Sequence, residues 1–289
     1  MESSPVRSRL MLAGAALLFS TGGAAIKAAS LTPWQVACFR SAVAAVFLIA
    51  ALPEARRAWH WRMAPPAAAY AATLVLFVLA TRLTTAANAI FLQSTAPLYV
   101  ILLAPWLLRE PVRRADVFYI LAVAAGMSLF FVGAESAAAT APDPALGNLL
   151  GAACGFTWAL TVAGLRWLGR AGDGNAAPAT AALGNLMAAA VALPLALPVA
   201  ATGAANLAVV LYLGVVQIGL AYAWVTRAIR HVPAFEATTV LLLEPALNPL
   251  WAWLVHGERP GAWALAGGAL ILLATLANTW RQGLESRAR

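Results

Sequence analysis

Two ionisable side chains, Arg40 and Glu244, stand well inside apolar stretches that are long enough to cross a membrane. A charged group in hydrocarbon is costly, so each is a functional hypothesis by default. Arginine binds a carboxylate and glutamate binds an ammonium group, which together would suit a zwitterion. The alternative that the sequence leaves open is structural, with each side chain pairing with a neighbouring polar group to lock helices together. Glu236 and Arg82 lie nearer the ends of their stretches, where long side chains reach the interface.

Prolines interrupt the apolar stretches that hold most of the other polar candidates. Pro97 and Pro245 each remove a backbone hydrogen bond and free carbonyl groups one turn earlier. Membrane helices tolerate such breaks where a wet cavity or a neighbouring helix satisfies the freed groups. The alternative is plain kinks with locally bonded polar side chains. The candidate substrate-binding residues near these two breaks are Asn88, Gln93, Ser94, Tyr99, Glu244 and Asn248, with Arg40 as a candidate charge partner.

Aromatic and amide side chains on two further stretches complete the candidate site. Trp158, Gln217 and Tyr222 would suit an apolar or aromatic amino acid, through ring stacking or a cation–π contact with its ammonium group. Filling gaps between helices is the alternative role for these rings. Six other tryptophans are interpreted as interface residues: Trp59, Trp61, Trp106, Trp251, Trp263 and Trp280.

The elements that must position these residues are membrane-spanning helices. Of the 289 residues, 62% are hydrophobic and only 10% are charged, which excludes an ordinary soluble domain. The net charge of +8 lies in short clusters between apolar stretches, so it does not indicate a nucleic-acid partner. Runs of about 20 apolar residues predict ten helices, near 10–28, 33–52, 65–82, 87–108, 115–134, 146–168, 178–200, 206–226, 234–255 and 262–280.

The distribution of basic residues predicts the orientation of these helices. If the N-terminus is cytoplasmic, most of the 19 arginines and lysines fall on the cytoplasmic side, as the positive-inside rule requires. An even number of spans then returns the C-terminus to the same side. We expect a multi-pass protein of the bacterial inner membrane whose two termini are both cytoplasmic.

An internal repeat divides the chain into two five-helix halves, residues 1–140 and 141–289. One constant offset superimposes Pro97 on Pro245, Glu110 on Glu258, and Arg82 on Arg230. Because five is odd, the second half must begin on the opposite side of the membrane, so the two halves are inverted. Inverted repeats are typical of secondary transporters, in which exchanging the conformations of two similar halves opens one site to alternate sides.

These patterns resemble the EamA-type ten-helix members of the drug/metabolite transporter superfamily. The resemblance is carried by the segments Pro97–Glu110 and Pro245–Glu258, by Arg40, and by glycines that follow each segment, Gly126 and Gly133, then Gly267 and Gly268. Within that group the chain looks most like the bacterial aromatic amino acid exporters. The resemblance implies export of aromatic and other apolar amino acids, or related small metabolites, by alternating access.

Several other features limit what the chain does. No Walker P-loop, HExxH, GxSxG or Cys/His cluster is present, so we expect no enzyme activity, no cofactor and no metal site. Gly147, Gly151 and Gly155 share one helix face, which predicts close helix packing or a dimer face. The expected partners are a small-molecule substrate and the lipid bilayer, for a monomer or weak homodimer.

Three alternatives to an amino acid exporter stay open at this stage. A multidrug or lipophilic-cation exporter would use Glu244 as its counter-charge. An intramembrane enzyme acting on lipids would need clustered acids or histidines at one membrane face, which the sequence lacks. A structural or interaction subunit would need no polar centre at all.

Overall fold

The structure is a computed structural model that describes residues 5–56, 59–107, 111–132, 137–170, 176–199, 203–228 and 231–287. Within these ranges the chain is helical and forms no β-strand beyond one isolated bridge, Ala138 to Ala141. The predicted all-α fold is therefore confirmed. Glu110, Gly133 and Arg230, which helped to define the repeat, lie outside the described residues.

We number ten helical segments along the described chain. Three of them, α1, α4 and α9, consist of two parts, and α8 consists of three. Their bounds are α1 Pro5–Ser20 with Gly22–Ala28, α2 Pro33–Ala51, α3 Ala64–Leu83, α4 Ala86–Gln93 with Ala96–Leu107, α5 Arg114–Val132, α6 Pro144–Arg170, α7 Ala177–Ala196, α8 Ala204–Leu211 with Tyr212–Leu220 and Ala221–Ala228, α9 Ala234–Leu241 with Leu243–His256, and α10 Ala262–Arg287.

Local sequence signals explain where several helices begin and end. The Thr32 hydroxyl accepts a hydrogen bond from the Gln35 backbone N–H, and the Gln35 side-chain oxygen accepts one from the Thr32 backbone N–H, which forms a capping box ahead of α2. Thr85 caps α4 in the same way, by accepting from the Asn88 backbone. Gly257 ends α9 with a φ of 66°, a left-handed conformation that glycine adopts without strain.

Eight helices in the described ranges are long and apolar enough to cross a membrane. The segment Asp116–Val132 within α5 is a shorter apolar helix, and α9 is divided into two shorter parts. Large apolar side chains such as Val46, Phe118 and Leu254 are exposed on the outside of the bundle, as lipid contact requires. The chain is an integral membrane protein, and ten complete crossings stay a prediction.

Close helix crossings hold the bundle together. Helix α6 packs along α3 and α4, while α7 packs along α2 and α3. Gly155 lies against the Leu92 carbonyl oxygen, where an added Cβ would come within 2.6 Å. Gly147 and Gly151 are buried against the ends of α3 and α4 in the same way, so this glycine face packs internally. The alternative prediction that it forms a dimer face was wrong.

Helices α4 and α9 break at equivalent positions of the repeat. The first parts of both helices are eight residues long, and the breaks lie at Ser94–Thr95 and at Leu242, three residues before Pro97 and Pro245. The prolines therefore act as the sequence predicted. Two further irregularities were not predicted: α1 breaks at Thr21, and the middle of α8 is π-helical.

Candidate functional site

Four aromatic rings from four helices meet in the middle of the bundle. Tyr70 of α3 packs edge-on against Tyr222 of α8 at 5.6 Å between ring centroids, and tilted against Trp158 of α6 at 6.0 Å. Phe19 of α1 packs edge-on against Tyr222 at 5.4 Å. We call Phe19, Tyr70, Trp158 and Tyr222 the aromatic cluster. It draws two helices from each half of the chain.

Tyr70 connects the aromatic cluster to the two buried charges. Its side chain lies within the electrostatic influence of both Arg40 and Glu244, and beside Tyr222 and Asn185. Its hydroxyl is buried yet makes no hydrogen bond of normal geometry. Close approach of α7 at Gly184, where an added Cβ would lie 2.6 Å from the Tyr70 ring, fixes this position. Sequence reasoning did not select Tyr70.

Arg40 is almost fully buried on α2, with 2% of its surface exposed. Its Nη2 donates to the Leu74 carbonyl oxygen at 2.8 Å, and its Nε has no hydrogen-bond partner. Within the described residues no carboxylate pairs with it, and its electrostatic neighbours are Tyr70 and Cys154. A buried guanidinium without an acid partner is costly, because the interior of low dielectric constant stabilises its charge poorly.

Glu244 is the opposite charge of the same region. Its side chain is partly buried, and the surrounding protein desolvates its carboxylate. It makes no hydrogen bond or ion pair with the residues that the structure describes, and its charge acts on Tyr70 and Tyr222. Arg40 and Glu244 therefore both act on Tyr70 of the aromatic cluster without pairing with each other.

Two amide side chains lie next to these charges, against the break in α1. Gln217 lies against Gly22 and donates from Nε2 to the Phe19 carbonyl oxygen at 3.4 Å, while its Oε1 has no partner. Asn248 lies against Gly23, is fully buried, and has no partner for either amide atom. Asn248 follows Glu244 by one helical turn, so both side chains lie on the same face of α9.

Side chains from the second half of the chain fix the break in α1. The Thr21 and Tyr212 hydroxyls lie 2.8 Å apart, and Trp251 Nε1 donates to the Ser20 hydroxyl at 2.9 Å. A ring nitrogen of His256 lies 2.8 Å from the Ala24 carbonyl oxygen. The prediction that Trp251 is an interface residue was wrong, because its indole N–H donates to the hydroxyl of Ser20, which is fully buried.

The polar side chains at the α4 break bond locally instead. The Ser94 and Thr95 hydroxyls donate to the Ile90 and Leu92 carbonyl oxygens at 2.7 and 2.6 Å. The Cys154 thiol lies 3.5 Å from Gln93 Oε1.

Two other predicted site residues on α4 contact different neighbours. Tyr99 packs on Phe156 at 5.6 Å, and its hydroxyl lies 3.9 Å from the Met127 sulfur. The Asn88 amide bonds to Thr84 and Asn148, each at 3.1 Å, within a hydrogen-bond network between α4 and α6.

The structure thus brings together only part of the predicted site. Trp158 and Tyr222 belong to the aromatic cluster, Arg40 and Glu244 both act on its Tyr70, and Gln217 and Asn248 lie against the glycines at the break in α1. No group of three or more histidine, cysteine, aspartate or glutamate side chains that would hold a metal occurs in the described ranges.

A model of the EamA-like transporter family matches the chain twice, over residues 7–132 and 145–280. These matches cover well over half of the sequence. The chain belongs to the EamA-like transporter family. Family membership establishes a membrane transporter of small molecules, built from two repeated helix bundles, and the two halves of the aromatic cluster come from the two matched segments.

The fold of this chain is similar to that of another protein whose crystal structure is known. One crystal structure of a protein covers 98% of the chain, and the chain covers 100% of that protein, with 21% sequence identity and a TM-score of 0.62. At this identity the likeness shows the fold alone. No curated protein matches the sequence.

The residues that sequence reasoning missed, Phe19 and Tyr70, are aromatic residues within apolar helices, where they look like packing residues. Asn185 corresponds to Arg40 when Pro33 is aligned with Pro178 in the repeat. That correspondence was the available signal, since both residues lie next to Tyr70.

Proposed function

We propose that this EamA-like transporter exports zwitterionic amino acids with aromatic or other apolar side chains. The observation that carries the proposal is that Arg40 and Glu244 both act on Tyr70 of the aromatic cluster, while neither has a partner of opposite charge within the described residues. Both charges lack a counter-charge within the described protein, so a ligand that brings both counter-charges would compensate them together.

The proposed binding mode assigns one end of the amino acid to each charge. The guanidinium of Arg40 binds the α-carboxylate, and the carboxylate of Glu244 binds the ammonium group, assisted by the negative face of the Tyr222 ring. The substrate side chain packs against Trp158 and Tyr70. Gln217 and Asn248 supply unpaired amide groups for further hydrogen bonds at the same site.

Alternating access of the two repeats would move this substrate across the membrane. The breaks in α4 and α9 give the two halves a discontinuous helix at equivalent positions, and irregular backbone of this kind is found at the binding sites of transporters. With both termini in the cytoplasm, as the basic residues predict, the site would load from the cytoplasm. The internally packed glycine face of α6 is consistent with a monomer as the working unit.

A lipophilic-cation exporter is the nearest alternative substrate class. Glu244 would serve it well, but Arg40 would not, because a second buried positive charge repels a cation in a medium of low dielectric constant. An aromatic amine without a carboxylate is therefore expected to be a poor substrate, although it fits the same aromatic cluster.

Transport into proteoliposomes tests the proposal. Wild-type protein should carry phenylalanine, tryptophan and leucine faster than arginine, glutamate or a lipophilic cation. Glu244→Gln should abolish most of this flux. Glu236→Gln is the matched control on the same helix, since Glu236 pairs with Arg9 and is partly exposed. Equal amino acid flux in the two variants would refute the assignment of Glu244 to the site.

A further inference from the structure

The proposed substrate site does not explain a buried ion pair at one end of the bundle. We call the end where α1 begins and α10 ends the terminal end, and the opposite end the far end. At the far end, Lys27 Nζ of α1 lies 2.7 Å from Glu258 Oε1, which follows α9. The two side chains are only 5% and 2% exposed.

This ion pair joins the two halves of the chain more tightly than a simple pair would. The other Glu258 oxygen, Oε2, accepts from the Ala86 backbone N–H at 2.8 Å, and so caps the first turn of α4. Lys27 also donates to the Thr84 carbonyl oxygen at 2.8 Å and to that of Thr140. One carboxylate of the second half therefore holds both α1 and α4 of the first half.

The surroundings of the ion pair seal the far end against water. Arg82 donates to three backbone carbonyls at the end of α1 and in the connection to α2, at 2.7 to 3.2 Å. Asn148 of α6 accepts from the Thr84 hydroxyl at 2.8 Å and donates to the Phe130 carbonyl oxygen at 2.8 Å. These bonds surround Lys27 and Glu258 with protein groups.

The terminal end is held differently. Arg9 pairs with Glu236, and the side chains are 53% and 30% exposed. Arg281 pairs with Asp116, at 26% and 12% exposed. Exposed ion pairs contribute little to stability, because water competes for both partners. The two ends therefore differ in that the ion pair at the far end is buried and those at the terminal end are partly exposed.

We infer that Lys27 and Glu258 form the gate at the far end of this transporter. The inference rests on the alternating-access part of the proposed function, but on nothing about the substrate. A buried ion pair suits a gate, because its Coulomb attraction and its desolvation cost nearly cancel. Opening returns both charges to water, so the closed and open states differ by only a small free energy.

Distance measurements between two spin labels test the gate without any substrate. Cysteines replacing Ser30 and Arg259, both exposed at the far end, carry the labels on the two halves, while the native Cys38 and Cys154 are buried. In the labelled protein that is otherwise unchanged, most molecules should show the shorter distance between the two labels, which belongs to the closed state. About 10% of the molecules or fewer should show the longer distance of the open state. Lys27→Met and Glu258→Gln should each make the longer distance the main population, because each leaves one buried charge without its partner.

Two further variants make the result specific. The double variant Lys27→Met with Glu258→Gln leaves no unpaired charge, so it should be more closed than either single variant. Glu236→Gln, at the terminal end, should leave the far-end distance unchanged. If either single variant fails to fold, Glu258→Asp keeps the charge and should give a smaller shift in the same direction, because its shorter side chain cannot reach Lys27 and Ala86 together.

An unchanged far-end distance in Lys27→Met, Glu258→Gln and Glu258→Asp would overturn the gate and leave a purely structural ion pair. The results would be different if the gate were correct but amino acids were not the substrate. In that case the spin-label distances would respond as described, while the transport of amino acids in liposomes would be absent.

Discussion

Helices α4 and α9 break at equivalent positions of the repeat, but the polar side chains near the two breaks differ in whether they form hydrogen bonds. In α4, Ser94 and Thr95 donate to carbonyl oxygens of their own helix. In α9, Asn248 has no partner for either amide atom, and Glu244 forms no hydrogen bond or ion pair within the described residues. The residues that correspond to them in the first repeat are Ala96 and Val100.

This difference shows that a symmetric scaffold carries an asymmetric site. Both breaks can serve movement, since the prolines remove the same backbone bond in each half. Only the α9 break presents unpaired polar groups, and it faces Tyr70 and Arg40 from the other half. We therefore propose that substrate recognition depends on the second break, and that the first break contributes only its bend to the fold.

The largest expected effect follows removal of the charge at the second break. Glu244→Gln should reduce kcat/KM for phenylalanine about 100-fold, because the ammonium group loses its only carboxylate in a desolvated site. Initial rates in proteoliposomes measure this. A reduction below threefold would show that Glu244 does not contact the substrate.

The next prediction distinguishes a role of Arg40 in substrate binding from a role in stabilising the fold. Arg40→Met should reduce transport about as strongly, but it should raise the unfolding temperature in detergent, because it removes a buried charge that has no acid partner. Arg40→Lys should not restore transport, since lysine lacks the planar bidentate donor group. A large fall in the unfolding temperature of Arg40→Met would instead identify Arg40 as a residue that stabilises the fold.

A smaller effect is expected at Asn248. Asn248→Ala should lower kcat/KM about tenfold, because the substrate loses a hydrogen bond to a buried amide. Val100→Ala, its counterpart in the repeat, is the matched control and should change transport less than twofold. Similar losses in the two variants would mean that the α9 amide acts only through helix packing.

The smallest effect is expected at the first break. Ser94→Ala should leave the KM for phenylalanine within about twofold of wild type, because its hydroxyl already bonds to the Ile90 carbonyl oxygen. Concentration-dependent uptake measures this value. A tenfold rise in KM would show that the first break also binds substrate, and the comparison between the two breaks would fail.

The fold and the breaks at prolines could be predicted because their causes are local. Apolar runs specify membrane helices. Pro97 and Pro245 each remove a hydrogen bond to the preceding turn of their own helix, so these breaks need no distant contact. The break in α1 has a weaker signal, the glycines after Thr21, and it depends on Tyr212 and Trp251 from distant helices. The π-helical stretch of α8 has no proline at all.

The site could be predicted only in part for the same reason. Arg40 and Glu244 are conspicuous because charge is rare in apolar helices. Tyr70 is inconspicuous, because its role depends on Gly184 of α7 and on two charges that lie far away in sequence. Ser94 and Asn88 were selected for polarity, and the structure shows that Ser94 donates to Ile90 of its own helix and that Asn88 donates to Thr84 and Asn148.

The most direct measurement of the central proposal compares three ligands that share one phenyl ring. L-Phenylalanine, 2-phenylethylamine and 3-phenylpropionate differ only in which of the two charges they carry, and their binding to the purified protein can be followed by calorimetry. Opposed charges at Arg40 and Glu244 predict that the amino acid binds at least about tenfold more tightly than either singly charged compound. Equal or tighter binding of 2-phenylethylamine would contradict a zwitterion site and favour a carrier of lipophilic cations.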